Sequence, residues 1–208
     1  MQDNEISNPP GAHLTFGECC SDKRSHFFTG TTDKITVRVM YDFDNSANSY
    51  NPVQRIEFAD GTVWGLPEIN TRTLQSTAAA DILRGTLAAD TINGGLGNDT
   101  ISATAGNTDV ALFGSAISTD QLWFRQVANT LEVSIIGTAD MFTISNWYLG
   151  NQYHLEQFKT SDGKTLLDSK VQNLVQAMAS FSPPAMGQTT LPPAYASQLN
   201  SMIAANWQ

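Results

Sequence analysis

Basic charge is scarce in this chain: 11 lysines and arginines stand against 20 aspartates and glutamates over 208 residues, a net charge of -9. Nucleic acid and anionic membrane are therefore poor principal partners, because neither favours a negative surface. Such acidity suits a cation-binding protein, and it also suits one that merely stays soluble. Long apolar runs are missing too; nothing approaches the roughly 20 residues needed to span a bilayer. The opening MQDNEISNPPG has neither a basic start nor an apolar core, so no Sec-type leader is expected from it. Cysteine is confined to the pair Cys19-Cys20. With His13 and His26 the pair puts four soft ligands in one short stretch, but adjacent cysteines cannot easily fill two corners of a tetrahedron, and CxxC spacing is absent. Free thiols or intermolecular oxidation are the expectation there. An HExxH pair, a nucleophile motif and a phosphate-cradling loop are all lacking, so an enzyme is not expected. His154, in YHLEQF, reads as a strand side chain.

What the chain does have is a run of glycine. Residues 94–102 read GGLGNDTIS, where Gly94, Gly95 and Gly97 precede Asn98-Asp99 and the strand-like Thr100-Ile101. Glycines permit a tight bend that turns carbonyl oxygens inward, and Asp99 adds a charged oxygen to them. Carbonyls with a carboxylate form part of a shell for a hard cation, calcium first, although a hairpin turn also fits the stretch taken alone. Cutting the chain every nine residues gives STAAADILR, GTLAADTIN, GGLGNDTIS and ATAGNTDVA over 76–111. Asp81, Asp90 and Asp99 fall in register, each followed two residues later by Leu83, Ile92 or Ile101. GGLGNDTIS matches every fixed position of the nonapeptide G-G-x-G-x-D-x-U-x. Its neighbours are degenerate: GTLAAD keeps one glycine, STAAAD none, and ATAGNT has no Asp in register.

These residues carry a resemblance to RTX, or haemolysin-type calcium-binding, proteins. The stretch from Ala116 to Leu166 with the following VQNLVQAMASFSPP resembles the haemolysin calcium-binding-related region that accompanies such repeats. A second, degenerate copy precedes the array: TTDKITVRVMYDF (31–43) echoes TADMFTISNWYLG (138–150), and VQRIEFADGTVW (53–64) aligns with LEQFKTSDGKTL (155–166) about Asp60-Gly61 and Asp162-Gly163. The first copy lacks a counterpart of ISTDQLWFRQVANTLEV, which suggests a piece of a longer ancestor. The segments read as a tail (1–29), a degenerate related copy (30–75), the nonapeptide array (76–111), a second related copy (112–182) and a C-terminal tail (183–208). The resemblance implies a mainly β fold: a short parallel β-roll flanked by β-rich modules, with two C-terminal helices. It also implies calcium as cofactor, an extracellular location, and export through type I secretion machinery that reads an uncleaved C-terminal signal. In such a roll, residues 18 apart stack on one edge, so Asp99 stacks on Asp81 while Asp90 faces the ATAGNT bend. The metal set expected is Asp99, Asp81, Gly94, Gly95, Gly97 and Asp90, with one weak site at Asp99 and Asp81 in the ~0.1 to 1 mM range of extracellular modules. STAAAD, without glycine, is expected to resist positive backbone angles.

Pattern supplies the coarse layout. Residues 34–41 and 55–58 read as strands before the turn at Ala59-Asp60-Gly61, Leu131, Val133 and Ile135 as a second alternating strand, and Ser118 to Gln121 as a helical cap. Val171, Leu174, Val175 and Met178 form a helical stripe ended by Pro183-Pro184. QTTLPP (188–193) reads as a linker into a second short helix over 195–205, bearing Leu199, Met202 and Ile203. Both stripes fit packing faces as well as an export signal. With 41% hydrophobic content the chain can bury a core as one elongated unit or two subdomains. A rival reading is an adhesive module in which Trp123, Phe124, Trp147, Tyr148 and Tyr153 form a platform for a glycan or host-surface ligand.

Overall fold

Alternation of apolar and polar residues builds most of the strands, and the computed structural model describes residues 4–7, 12–15, 34–37, 47, 49, 51, 53–58, 61–103, 107–115 and 117–208. They divide into two compact units, Met1–Thr73 and Leu74–Gln208. Cys19, Cys20 and His26 lie outside the described residues, as does the end of the strand expected over 34–41.

The first unit contains strands β1 (Asn4–Ser7), β2 (Ala12–Thr15), β3 (Lys34–Val37), β4 (Arg55–Phe58) and β5 (Val63–Gly65), then helix α1 (Leu66–Thr73). β1 pairs antiparallel with β3, and β4 lies between β2 and β5. Ile56 and Phe58 are buried, Trp64 meets Phe58 edge-on, and the Arg72 guanidinium lies over the Trp64 ring at 3.9 Å.

The second unit holds β6 (Ile82–Arg84), β7 (Thr91–Ile92), β8 (Asn98–Ser102), β9 (Val110–Leu112), β10 (Leu122–Val127), β11 (Thr130–Ile135), β12 (Met141–Ile144), β13 (Gln157–Lys159), β14 (Thr165–Leu167), α2 (Asp168–Met178) and α3 (Pro193–Asn206). Its two sheets run β10-β11-β12-β8-β6 and β14-β13-β9-β7. From β6 to β9 the chain visits the sheets alternately. After the β10-β11 hairpin it does so again with β12 and β13. β6, β8 and β12 are consecutive parallel neighbours, as are β7, β9 and β13, so the strands stack in three tiers. Leu83, Ile101 and Ile144 share one register row and Ile92, Ala111 and Phe158 another, all six buried. The apolar residue two places after each repeat aspartate thus enters one shared core.

That core continues into α2 and α3 through Val171, Leu174, Val175, Met178, Leu199 and Ile203. α3 begins at Pro193, which needs no partner for an N–H it does not have. QTTLPP is not a free linker: Leu191 is buried, and the Thr189 carbonyl accepts Gln121 Nε2 at 3.1 Å. The chain end is tied down as well, since Gln208 exchanges backbone hydrogen bonds of 2.7 and 2.9 Å with Thr165 while Trp207 is buried. Trp123, Phe124 and Trp147 are at most 3% exposed. The aromatic platform is corrected accordingly: three of its five members fill the core, and only Tyr148 and Tyr153 reach the half-exposed shell.

The two related copies fold alike where both are described. β4, a turn, β5 and α1 repeat β13, a turn, β14 and α2. Both turns carry the same bonds, Phe58 N to Thr62 O with Gly61 N to Phe58 O, and Thr160 N to Lys164 O with Gly163 N to Thr160 O. Gly61 and Gly163 adopt φ of 86° and 89°. The glycine that both copies share thus marks a shared turn geometry.

Candidate metal centre

Each strand of the three tiers is entered through a bend, and the bends collect along two edges. On one edge are 76–81, 94–99 and 137–140, leading into β6, β8 and β12; on the other are 85–90, 107–109 and the segment ending at Glu156, leading into β7, β9 and β13.

Carboxylates link one tier to the next. Asp81 N donates to Asp99 Oδ1 at 3.0 Å and Gly97 N to Asp140 Oδ1 at 2.9 Å. On the second edge Asp90 N donates to Asp109 Oδ1 at 2.9 Å and Asp109 N to Glu156 Oε2 at 2.7 Å. The ladder Asp90–Asp109–Glu156 follows strand register. This corrects the expectation that Asp90 faces a bend without a carboxylate. Thr91 pairs with Val110, 19 residues on, because the last repeat carries one extra residue; Asp109 therefore takes the place a strict nine-residue cut gives to Thr108. Asp81 and Asp99 do lie 18 apart on neighbouring tiers, in step with the pairing of Ile82 and Thr100.

The glycines of 94–97 let two bends touch backbone to backbone. Gly95 and Gly97 have φ of 78° and 106°, and a Cβ on them would sit 2.6 Å from the Thr77 carbonyl and 2.7 Å from the Ala79 carbonyl. A side chain at either is refused by angle and by space at once. A Cβ on Gly94 would lie 2.5 Å from Asp99 Oδ2 and 2.8 Å from the Phe142 ring. STAAAD, by contrast, bends without strain: Ala128 and Asn146 are the non-glycine residues of positive φ among those described, and neither is in the array. Its turn closes instead through Thr77, whose backbone N–H reaches Asp81 Oδ2 at 2.7 Å.

Asp99 and Asp109 are buried, at 2% and 1% exposure. Burial raises the pKa of Asp99, and the charges of Asp81 and Asp140 add to that. Asp109 is pushed up to about 7 by burial, then by Asp90 and Glu156. Asp109 Oδ2 has no hydrogen-bond partner among the described residues. Beside it, the place a Gly85 Cβ would take lies 3.2 Å from Asp90 Oδ2, 3.7 Å from the Ser102 carbonyl and 3.9 Å from Asp109 Oδ2. Three hard oxygens thus lie close together beside Gly85, and oxygen donors of this kind suit calcium. No group of three His, Cys, Asp or Glu side chains among the described residues converges enough to hold a metal. A cation here must therefore take part of its shell from backbone carbonyls.

Reading by motif missed Asp109, Asp140 and Glu156. Glu156-Gln157-Phe158 carried a usable signal, since it repeats the carboxylate–x–apolar triplet of Asp90-Thr91-Ile92. Asp140 carried less, because it stands opposite Gly97 and not opposite Asp99.

Residues 76–110 match the family model of the RTX calcium-binding nonapeptide repeat, and residues 27–66 and 131–169 match that of the haemolysin-type calcium binding protein related domain. Stacked carboxylates on repeated bends and these matches agree on a calcium-binding repeat protein. The chain is an RTX-type calcium-binding protein, and its cofactor is Ca2+. Both matched families are described as calcium-binding modules.

Proposed function

We propose that the chain is a non-catalytic secreted module in which the two parallel ladders form a short β-roll that closes on calcium after type I export. Asp109 carries this reading. A carboxylate oxygen buried without a partner, between two further carboxylates, holds a charge that a cation would offset. On this edge Asp109 and Asp90 would hold the ion with the Ser102 carbonyl, while Glu156 fixes Asp109 through its N–H. On the other edge Asp99 would hold it with Asp81 and the bend carbonyls opened by Gly94, Gly95 and Gly97. Calcium supplies charge neutralisation and a link between tiers; the chain supplies oxygens and the glycine turns that aim them.

Export fits the same scheme. Apart from Met202, which is exposed, the apolar stripes of α2 and α3 are packed in the core, so an address built on the packed residues is readable only before the chain folds. Low calcium inside the producing cell would delay that folding, and calcium outside would drive it. No helix among the described residues is long and apolar enough to cross a membrane. An adhesive role loses support from the burial of Trp123, Phe124 and Trp147.

Calorimetric titration with calcium tests the site. Wild type should bind with a Kd of ~0.1 to 1 mM. Asp109→Asn and Asp99→Asn should each weaken binding by about tenfold or more, and the double variant should abolish it. Unchanged affinity in both single variants would remove these residues from the site, and no heat from the wild type would remove the calcium reading.

A further inference from the structure

The two bends of the first tier share a device absent from the glycine bend above them. Thr77 N donates to Asp81 Oδ2 at 2.7 Å, and its Oγ1 reaches the two carboxylate oxygens at 3.2 and 3.1 Å while accepting Ala79 N at 3.1 Å. Thr86 repeats this one repeat later: its N donates to Asp90 Oδ2 at 2.5 Å, its Oγ1 lies 3.3 and 3.1 Å from the carboxylate oxygens, and it accepts Ala88 N at 3.1 Å. The common sequence is Thr-x-Ala-Ala-Asp. In each case one hydroxyl and one amide satisfy the carboxylate across the bend, and the same hydroxyl takes up an amide that the turn would otherwise leave open.

GGLGND places Gly95 where the other two bends have threonine. Gly95 has no hydroxyl, and its N–H goes to Asn93 Oδ1 at 3.0 Å and not to Asp99. In the same tier Asp109 Oδ2 is buried without a hydrogen-bond partner among the described residues. A carboxylate closed by a local threonine has its charge spread over hydrogen bonds within its own turn. One left without that closure needs a cation to bring the bend together.

We propose that Thr77 and Thr86 make the first tier, residues 76–93, independent of metal, so that calcium is required only to close the second tier, 94–111, upon it. In the bends 76–81, 85–90 and 94–99 the residue four before the aspartate, Thr77, Thr86 or Gly95, then decides whether the bend is latched or metal-dependent. This division rests on the reading that Asp99 and Asp109 hold the ion. It orders assembly as well: the latched tier forms on local contacts and presents β6 and β7 as edges on which β8 and β9 add when calcium arrives.

Amide hydrogen exchange on the full chain, in calcium and in chelator, tests the proposal. In chelator the amides of Ala79, Thr86 and Ala88 should stay protected while those across 94–111 lose protection. The double variant Thr77→Val/Thr86→Val keeps side-chain shape but not the hydroxyls. In chelator it should lose about tenfold in protection at Ala79 and Ala88, as expected for one lost hydrogen bond at each. Both tiers opening together in wild type, or full first-tier protection in the double variant, would overturn the proposal. Second-tier protection identical with and without calcium would overturn the calcium reading and the division with it; the latch comparison needs only chelator and is scored separately.

Discussion

Asp109 can be charged at neutral pH only at a cost that a cation removes. Its carboxyl is raised from 3.8 to about 7 by burial and by Asp90 and Glu156, so between those values the folded chain holds a proton that the unfolded chain has released. Extra protons on the folded state mean that this group's contribution to stability falls as pH rises from about 4 to about 7, then levels off. Thermal melts in chelator should show the calcium-free wild type losing stability across that window, with the slope reduced in Asp109→Asn. Calcium should flatten the slope by occupying the charged form, and its affinity should drop as pH falls below about 7, where the proton competes. An unchanged slope in Asp109→Asn would assign the pH dependence to other carboxylates.

A bend is the smallest element here, and Gly97 shows what stacking adds to conformation. Gly97 and Gly163 both have positive φ, 106° and 89°, yet a Cβ on Gly163 would meet nothing within 4 Å while one on Gly97 would press on the Ala79 carbonyl at 2.7 Å. Gly163→Ala should therefore cost only the backbone term, about 1–2 kcal/mol, whereas Gly97→Ala should cost more and weaken calcium binding too. Denaturant melts of the two variants measure the difference, and equal losses would mean that the tiers tolerate separation at this point. Sequence made the elements legible where period and punctuation coincide: Leu83, Ile92 and Ile101 face inward as their spacing implies, and Gly61 and Gly163 turn where Asp-Gly stands. It failed where one residue was added. The insertion before Asp109 hides a carboxylate that strand pairing restores to register, because backbone hydrogen bonds and the burial of Ala111 fix the ladder whatever length the preceding bend has. Threonine replacing glycine at positions 77 and 86 was equally hard to see as structure, since the hydroxyl works only through a carboxylate four residues on.

Across the whole molecule, one β-turn-β-α design occurs twice, in separate compact units, and the second occurrence adds a tier to the nonapeptide ladders. β13 stacks on β9 in parallel and hands the chain through β14 to α2, so the array, the related copy and the tail share a single core. That sharing separates two roles of the last residues that sequence alone runs together. Trp207 is buried and the final residue pairs with Thr165, which makes this end a structural closure; the same residues also lie in the stretch proposed to direct export. Trp207→Ala should lower stability by about 3 kcal/mol or more, the usual cost of emptying a large aromatic site. If the export address is read before folding, a passenger carrying residues 168–208 with this substitution should still leave a host with a type I exporter as fast as one carrying the native tail. Melts and export assays on the same substitution thus read closure and address separately. A stable fold with export abolished would show that Trp207 belongs to the address, and equal retention of the passenger with and without the tail would show that 168–208 carries none.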